Sequence, residues 1–254
     1  MLRAERQKKI IELINQKGIV TIEELVLEAN SSIATVRRDL NDLSKENLIE
    51  KVRGGAKALM PTAPYEPSFT AKTLSNCDEK KRIAAEAIRY ISPGEKIILD
   101  SGTTTLELAK LLNTFHDLTI ITNDLRIASE INANSSNDLV CIGGTIRKGF
   151  CSSYGYFAEA MLKSITVDKI FLSVDALDAE HGIMSYTMDD TNLKDIGMSN
   201  AKESYLLCDH SKFTSHALFT IGMLDKITTI ISGTELEPQI AQSFADINKK
   251  IILV

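Results

Sequence analysis

Ser31 to Ala56, SSIATVRRDLNDLSKENLIEKVRGGA, decides the reading of this chain. Val36, Leu40 and Leu43 recur at i, i+4 and i+7, the spacing of one buried helical stripe. Ser32 stands just ahead of it, where a hydroxyl can accept a backbone N–H and cap the helix. Ala34, Thr35, Arg37 and Arg38 fall on the remaining faces of the first half. A small, hydroxyl-bearing, twice-basic edge at a helix start suits entry into a DNA major groove, although two arginines alone also fit an ordinary solvated surface. Past the helix, Leu48, Ile49 and Val52 suggest a strand, Arg53-Gly54-Gly55 a turn, and Ala56 to Leu59 a return strand.

Upstream, Thr21-Ile22-Glu23-Glu24 is a capping box, with Thr21 as cap and Glu24 at the third helical position. It opens a short helix that turns Ile22, Leu25, Val26 and Ala29 inward. Before it, Arg3 to Gln16 places Ile10, Ile11, Leu13 and Ile14 on one side of a charged helix that ends at Gly18. Three helices in so short a span, the last two joined by a tight turn, read as a helix-turn-helix, and the ribbon after them as a wing.

The segment resembles the N-terminal winged helix-turn-helix of DeoR-family bacterial transcription regulators. That pattern runs V-S-x-x-T-[IV]-R-R-D-L, a gap, then a basic residue before G-G-A. Ser32, Thr35, Val36, Arg37, Arg38, Asp39, Leu40, Gly54, Gly55 and Ala56 match it. Ser31 replaces the usual valine, Asn47 a frequent glycine, and Arg53 a common histidine. Asparagine tolerates a left-handed helix end, and Arg53 adds a phosphate-binding charge. The resemblance implies DNA contact through Thr21, Ser32, Ala34, Thr35, Arg37, Arg38, Lys51, Arg53, Gly54 and Gly55.

The net charge of −5 looks wrong for a nucleic-acid binder until it is divided along the chain. Residues 1–60 carry 11 Lys and Arg against 9 Asp and Glu, so the acidic excess lies in the remainder. At 254 residues, 44% hydrophobic and 25% charged, the chain can build one substantial core and a small module. It has no apolar run long enough for a membrane span, and MLRAERQKK does not lead into a signal segment. Cys77, Cys141, Cys151 and Cys208 are scattered with no C-x-x-C pair, which argues against zinc and a disulfide framework. Cys141 and Cys208 lie in apolar runs and are expected in the core.

Met60 to Asn76, MPTAPYEPSFTAKTLSN, holds three of the five prolines and no helical or strand periodicity. It reads as a linker between a DNA-binding domain at 1–59 and a second domain at 77–254. From Asp78 helices and apolar strands alternate: strands at 96–100, 118–123, 139–144, 168–177, 204–210, 226–232 and 250–254. Continuous apolar strands separated by helices imply an α/β fold with a mostly parallel sheet covered on both faces.

Ligands in such sheets bind beyond the carboxyl ends of the strands. Asp100-Ser101-Gly102-Thr103-Thr104-Thr105 follows the first strand and opens a helix. One glycine, several hydroxyls and free N–H groups at a helix start make a phosphate cradle, or simply a capped helix. It is neither a Walker loop nor a dinucleotide fingerprint. Thr122-Asn123 ends the second strand, Gly143-Gly144 the third, Asp175 the fourth and Asp209 the fifth. Lys194 lies on the intervening helix and Lys212 follows Asp209. Acids for sugar hydroxyls, with lysines and hydroxyls for phosphate, are what a sugar-phosphate pocket needs.

This second half also looks like the DeoR-family sensor domain, through Glu79-Lys80, ILDSGTTTLELAKLL, TIITND, Gly143-Gly144, DKIFLSVDA, Lys194 and the D-x-x-K-F of Asp209 to Phe213. The resemblance implies a fold similar to ribose-phosphate isomerases and binding of a phosphorylated sugar. It carries the effector site onto Asp100, Ser101, Gly102, Thr103, Thr104, Thr105, Thr122, Asn123, Gly143, Asp175, Lys194 and Lys212. Two departures, the Val174–Asp178 run and Asp190 in place of a frequent glutamate, fall near the sugar end. The expectation is a cytoplasmic, nucleoid-bound homodimeric or homotetrameric repressor of a sugar operon. It carries no catalytic residues, metal or cofactor, and its partners are operator DNA and a sugar phosphate. Two other readings are a sugar-phosphate isomerase, with Asp175 as base and Lys212 stabilising an enediolate, and a constitutive DNA-binding protein whose second domain only dimerises.

Overall fold

A computed structural model of the chain describes residues 2–46, 48–58, 66–222 and 224–254. Asn47 and the stretch from Leu59 to Tyr65, with the end of the return strand and the first part of the expected linker, lie outside the described residues. Contacts divide the chain into residues 1–77 and 78–254.

In the first unit, α1 (Arg3–Lys17) leads through β1 (Ile19–Thr21) into α2 (Ile22–Glu28), then α3 (Ile33–Lys45), β2 (Glu50–Val52), β3 (Gly55–Lys57) and α4 (Phe69–Leu74). The caps form as their sequences dictate. Thr21 Oγ1 accepts from the Glu24 N–H at 3.3 Å while Glu24 reaches back to the Thr21 N–H at 2.9 Å. Ser32 Oγ accepts from the Thr35 N–H at 3.2 Å. Ile10, Ile14, Leu25, Val36, Leu40, Leu43 and Ile49 fill the core between the helices.

Three features were not legible in the sequence. Ile19–Thr21 joins the wing as a third strand, giving the antiparallel order β1-β3-β2. Asp39 is buried, and takes the Arg6 Nε–H at 2.5 Å and an Arg6 Nη2–H at 3.2 Å, which ties α1 to α3. The segment at Phe69–Leu74, expected to lack periodic structure, is a helix capped by Ser68, and its Ala71 and Leu74 pack on the winged-helix core. Three apolar residues in so short a stretch give too little periodicity to declare a helix beforehand. At the wing tip Gly54 has φ 84°, and a Cβ on Gly55 would sit 2.1 Å from the Val20 carbonyl oxygen, so the turn and the strand contact both require glycine.

The second unit opens with α5 (Cys77–Ala87) and continues β4 (Lys96–Leu99), α6 (Thr103–Leu111), β5 (Thr119–Thr122), α7 (Leu125–Asn134), β6 (Asp138–Cys141), β7 (Thr145–Ile146), β8 (Ser153–Tyr154) and α8 (Tyr156–Lys163). Then follow β9 (Val167–Leu172), β10 (Ala176–Asp178), β11 (Gly182–Ser185), α9 (Met188–Asn200), β12 (Ala201–Leu207), β13 (Phe219–Gly222), β14 (Thr229–Ser232), α10 (Pro238–Asp246) and β15 (Ile251–Leu253). Seven strands pair in parallel in the order β15-β14-β12-β9-β4-β5-β6. Alternate residues point to opposite faces, so Ile97 and Leu99 pack with α5, α6 and α7, while Ile98 packs with α8 and α9.

The expected strand at 168–177 divides. β9 stays in the parallel sheet, whereas β10 joins β11 and β13 in a separate antiparallel sheet. Asp175 therefore lies between two sheets and not at a strand end. Cys141, expected in the core, is exposed, because β6 is the edge strand of the large sheet; Cys208 is buried as expected.

Because the Arg6–Asp39 pair joins two helices and Asp39 is buried, Arg6→Ala leaves a carboxylate without its cation. The first unit should lose about 3 kcal/mol. Hydrogen exchange of α1 and α3 amides in the full chain measures this; a loss below about 1 kcal/mol would mean that the pair behaves as a surface ion pair.

Candidate functional site

From the central β4 the chain moves outward through β5 and β6, then returns to the other side of β4 at β9 and moves outward through β12, β14 and β15. The reversal leaves a crevice beyond the carboxyl ends of β4 and β9, the place where open α/β sheets bind ligands. The loops there touch closely. Asp100 Oδ2 accepts the Ser173 N–H at 3.0 Å, and a Cβ added to Gly102 would fall 2.3 Å from the Ser173 Cβ. Glycine at 102 is thus required for the β4 loop to lie against the β9 loop.

Asp100, Thr122, Asn123 and Lys194 line one small cavity, about 20 Å³, with Ile98, Ile142, Leu162, Ile170 and Leu193 as its apolar walls. Four of the sequence-expected effector residues thus come together from β4, β5 and α9. Lys194 donates to Asp100 Oδ2 and lies 3.3 Å from Asp190 Oδ2. Asp190 in turn accepts from Ser185 Oγ at 3.0 Å, and Ser185 also bonds Asp175 at 3.2 Å. The Tyr186 N–H, at 3.2 Å, is a further donor to Asp175.

One ammonium thus faces three carboxylates. Burial pushes the Asp100 carboxyl up to about 6, against the attraction of Lys194 and with the Asp190 charge adding to the rise. Burial opposes the Lys194 charge as well, but Asp100, Asp190 and Asp175 outweigh it and raise its pKa above the ordinary lysine value.

The remaining expected residues divide by what already occupies them. Thr105 Oγ1 donates to the Asp100 carbonyl at 2.7 Å and caps its own loop. Ser101 Oγ donates to Asp124 Oδ2 at 2.8 Å, and buried Asp124 also holds Arg126. Thr122 Oγ1 accepts the Asp124 N–H, and Asn123 Nδ2 donates to the Ser153 carbonyl. Thr103 and Thr104 are buried at the start of α6 with no side-chain hydrogen bond among the described residues. Lys212, half-buried in the turn after β12, has an ammonium with no hydrogen-bond or ion-pair partner among them. Gly143 is exposed with open space about it. Ser173 and Ser185 were missed by sequence reasoning, since a serine after a strand carries no distinguishing signal until the fold brings it to an acid.

Glu79, Asp209 and His210 put carboxylate and imidazole atoms within 4.8 Å of one another. Protons of the protein fill this cluster. Glu79 accepts the His210 N–H at 2.7 Å, the Gly233 N–H at 3.2 Å and pairs with His210 Nδ1 at 2.7 Å, while Lys80 lies 4.0 Å from Asp209. It is a clamp that fastens α5 to the loops after β12 and β14. Glu79-Lys80 and the start of the Asp209–Phe213 motif, far apart in sequence, are its two halves.

In the first unit, Arg37 and Arg38 on α3 and Arg53 at the wing tip are exposed, and their side chains have no hydrogen-bond or ion-pair partner among the described residues. Lys51 donates to Asn41 Oδ1 and so ties the wing to α3. Thr21, Ser32 and Thr35 use their hydroxyls within the caps, Ser32 Oγ and Thr35 Oγ1 being 2.9 Å apart. Ala34 is exposed, Gly55 is buried against β1, and Gly54 is exposed at the tip.

Residues 6–62 match the model of the DeoR-like helix-turn-helix domain, and residues 75–234 that of the DeoR C-terminal sensor domain. The chain belongs to the DeoR family of transcription regulators. It is 32% identical to the putative aga operon transcriptional repressor of Escherichia coli O157:H7, over 99% of this chain and 94% of that one. It is 33% identical to the regulator IolR of Bacillus subtilis, over 95% of each. The glycerol-3-phosphate regulon repressor of Haemophilus influenzae is 31% identical, over 92% of this chain and 90% of its own. Among solved structures, ribose 5-phosphate isomerase A of Methanocaldococcus jannaschii is similar over 55% of both chains, with a TM-score of 0.41 and 20% identity. The DeoR chain is thus a DNA-binding regulator and not an enzyme, and it covers nearly the whole length of relatives that are named as transcription regulators.

The Asp100 carboxyl, with a folded-state pKa near 6 against about 4 in an unfolded chain, binds more protons when folded. Its contribution to stability is full below about pH 4 and is lost as pH rises through 6. Asp100→Asn abolishes that dependence, so between pH 4.5 and 7 thermal unfolding should shift progressively in favour of the variant relative to wild type. A difference in melting temperature that stays constant with pH would refute the assignment.

Proposed function

We propose that the chain represses a sugar-metabolism operon and that a phosphorylated sugar, bound in the β4–β9 crevice, releases it from operator DNA. What supports this reading is the presence of two chemistries among the polar groups at and near the strand ends. Asp100, Asp175 and Asp190, held by Lys194 and Ser185, present acceptors suited to sugar hydroxyls. Thr103, Thr104 and the N-terminus of α6 offer donors suited to a phosphate, and Lys212 offers an ammonium not engaged by the described residues. Lys194, by contrast, is committed to carboxylates, so its task is to hold the acids and not to neutralise the phosphate. The relative named for the glycerol-3-phosphate regulon supports a small phosphorylated polyol or sugar as the class.

Residues 1–59 would read DNA, 60–76 would join the two parts, and 77–254 would sense the effector and assemble copies. A homodimer or homotetramer presents paired recognition helices to half-sites spaced by whole helical turns. The protein would work in the bacterial cytoplasm, on the nucleoid. Release requires only that the sugar phosphate bind better to the conformation that holds DNA less well.

Fluorescence anisotropy with DNA from upstream of the gene, repeated with a panel of sugar phosphates, tests the whole scheme. Tight binding weakened by one compound is expected; Lys212→Ala should blunt that response while leaving DNA affinity unchanged. Binding that no sugar phosphate alters would overturn the effector assignment and leave the regulator. Arg38→Ala should weaken binding to all sequences and lower the salt slope by about 1 if it holds a phosphate. Relaxed specificity at one base pair would instead make it a base reader; Arg37→Ala is sorted the same way.

A further inference from the structure

The first turn of α3 is unusual in what it leaves free. Ser32 and Thr35, the hydroxyl-bearing residues at this end, are bonded to each other and to the helix backbone, at 2.9 and 3.2 Å. Asn41, two turns on, is held by Lys51. Apart from the arginines at 37 and 38, the outward side chains at the tip of the helix are therefore apolar: Ala34, and Ile33 at 48% exposure. Ile33 is the first residue of α3 and shares an edge with Arg37, one turn further along. The buried stripe of Val36, Asp39, Leu40 and Leu43 runs beside it, and Ile33, at the flank of that stripe, keeps about half of its surface open.

In helix-turn-helix proteins the N-terminal residues of the second helix meet base edges in the major groove. The methyl group of thymine is the apolar feature that a base pair displays there. We propose that Ile33 packs on a thymine methyl and sets the preference of each half-site for thymine at one position, with Arg37 anchoring the same edge of the helix. This rests on the DNA-binding function of the family and goes beyond it by naming the residue and the base feature it reads. Its place at the first position of α3, more than its exposure alone, is what suits it to face a methyl group.

The test uses the full chain and duplexes that it enriches from a random pool. In the enriched site each thymine is replaced in turn by 2′-deoxyuridine, which removes the methyl and leaves base pairing intact. At one position per half-site wild type should lose about fourfold in affinity, the worth of one buried methyl group. Ile33→Ala should bind thymine and deoxyuridine equally at that position, while Ile33→Val keeps the preference. Circular dichroism melts of both variants should stay close to wild type, because Ile33 is not among the buried residues of the winged-helix core. Methyl dependence that persists in Ile33→Ala, or half-sites in which no thymine methyl matters, would overturn the proposal. A wild-type chain that enriches no duplex would overturn the DNA-binding function and this proposal with it.

Discussion

A buried ammonium among carboxylates holds the sensor unit's crevice in shape. Lys194 reaches from α9 to Asp100 after β4 and to Asp190 one turn earlier on its own helix. Ser185 passes the contact on to Asp175, which lies between the parallel sheet and the small antiparallel one. Taking charges out of water is costly, and a lone lysine here would lose its proton. With three acids around it the lysine stays charged, while burial, helped by the Asp190 charge, pushes Asp100 toward its protonated form.

The same economy of partners runs through the DNA-binding unit. Asp39, the acid of the R-R-D-L run, turns inward to Arg6 and leaves its two neighbouring arginines outside. Alternation around a helix explains this: residue 39 shares the buried face with 36, 40 and 43, and residues 37 and 38 cannot. Hydroxyls that look like DNA contacts in sequence, those of Thr21, Ser32 and Thr35, are engaged in helix caps. The exposed side chains on the first half of α3 are then two guanidinium groups and two apolar side chains, a sparser set than the motif suggests.

The sensor unit also holds the clamp of Glu79, Lys80, Asp209 and His210. It fastens α5, the helix at which the chain passes from one unit to the other, to the turn that carries Lys212. Glu79 is buried and its carboxylate takes part in three hydrogen bonds, which fix α5 to the two loops within this unit.

The chain's pattern of apolar residues by itself determined the three helices, the caps at Thr21 and Ser32, the alternation of helix and strand from residue 78, and the polar character of the strand ends. These are local properties, governed by periods of 3.6 and 2 and by side chains that reach only their own backbone. Tertiary structure decided what each polar group at those ends is for. Lys194 and Lys212 read alike in sequence, yet one is saturated by acids from two elements and the other is not. Asp175 read as a strand end and lies between sheets, because the run around it divides where the chain leaves the parallel sheet. Cys141 sat in an apolar run and is exposed, because only the strand order makes β6 an edge. Pairings such as Arg6 with Asp39, or Glu79 with His210 across 131 positions, depend on which elements pack together. No periodicity carries that information, since it arises when the two faces of the sheet and the core of the winged helix close.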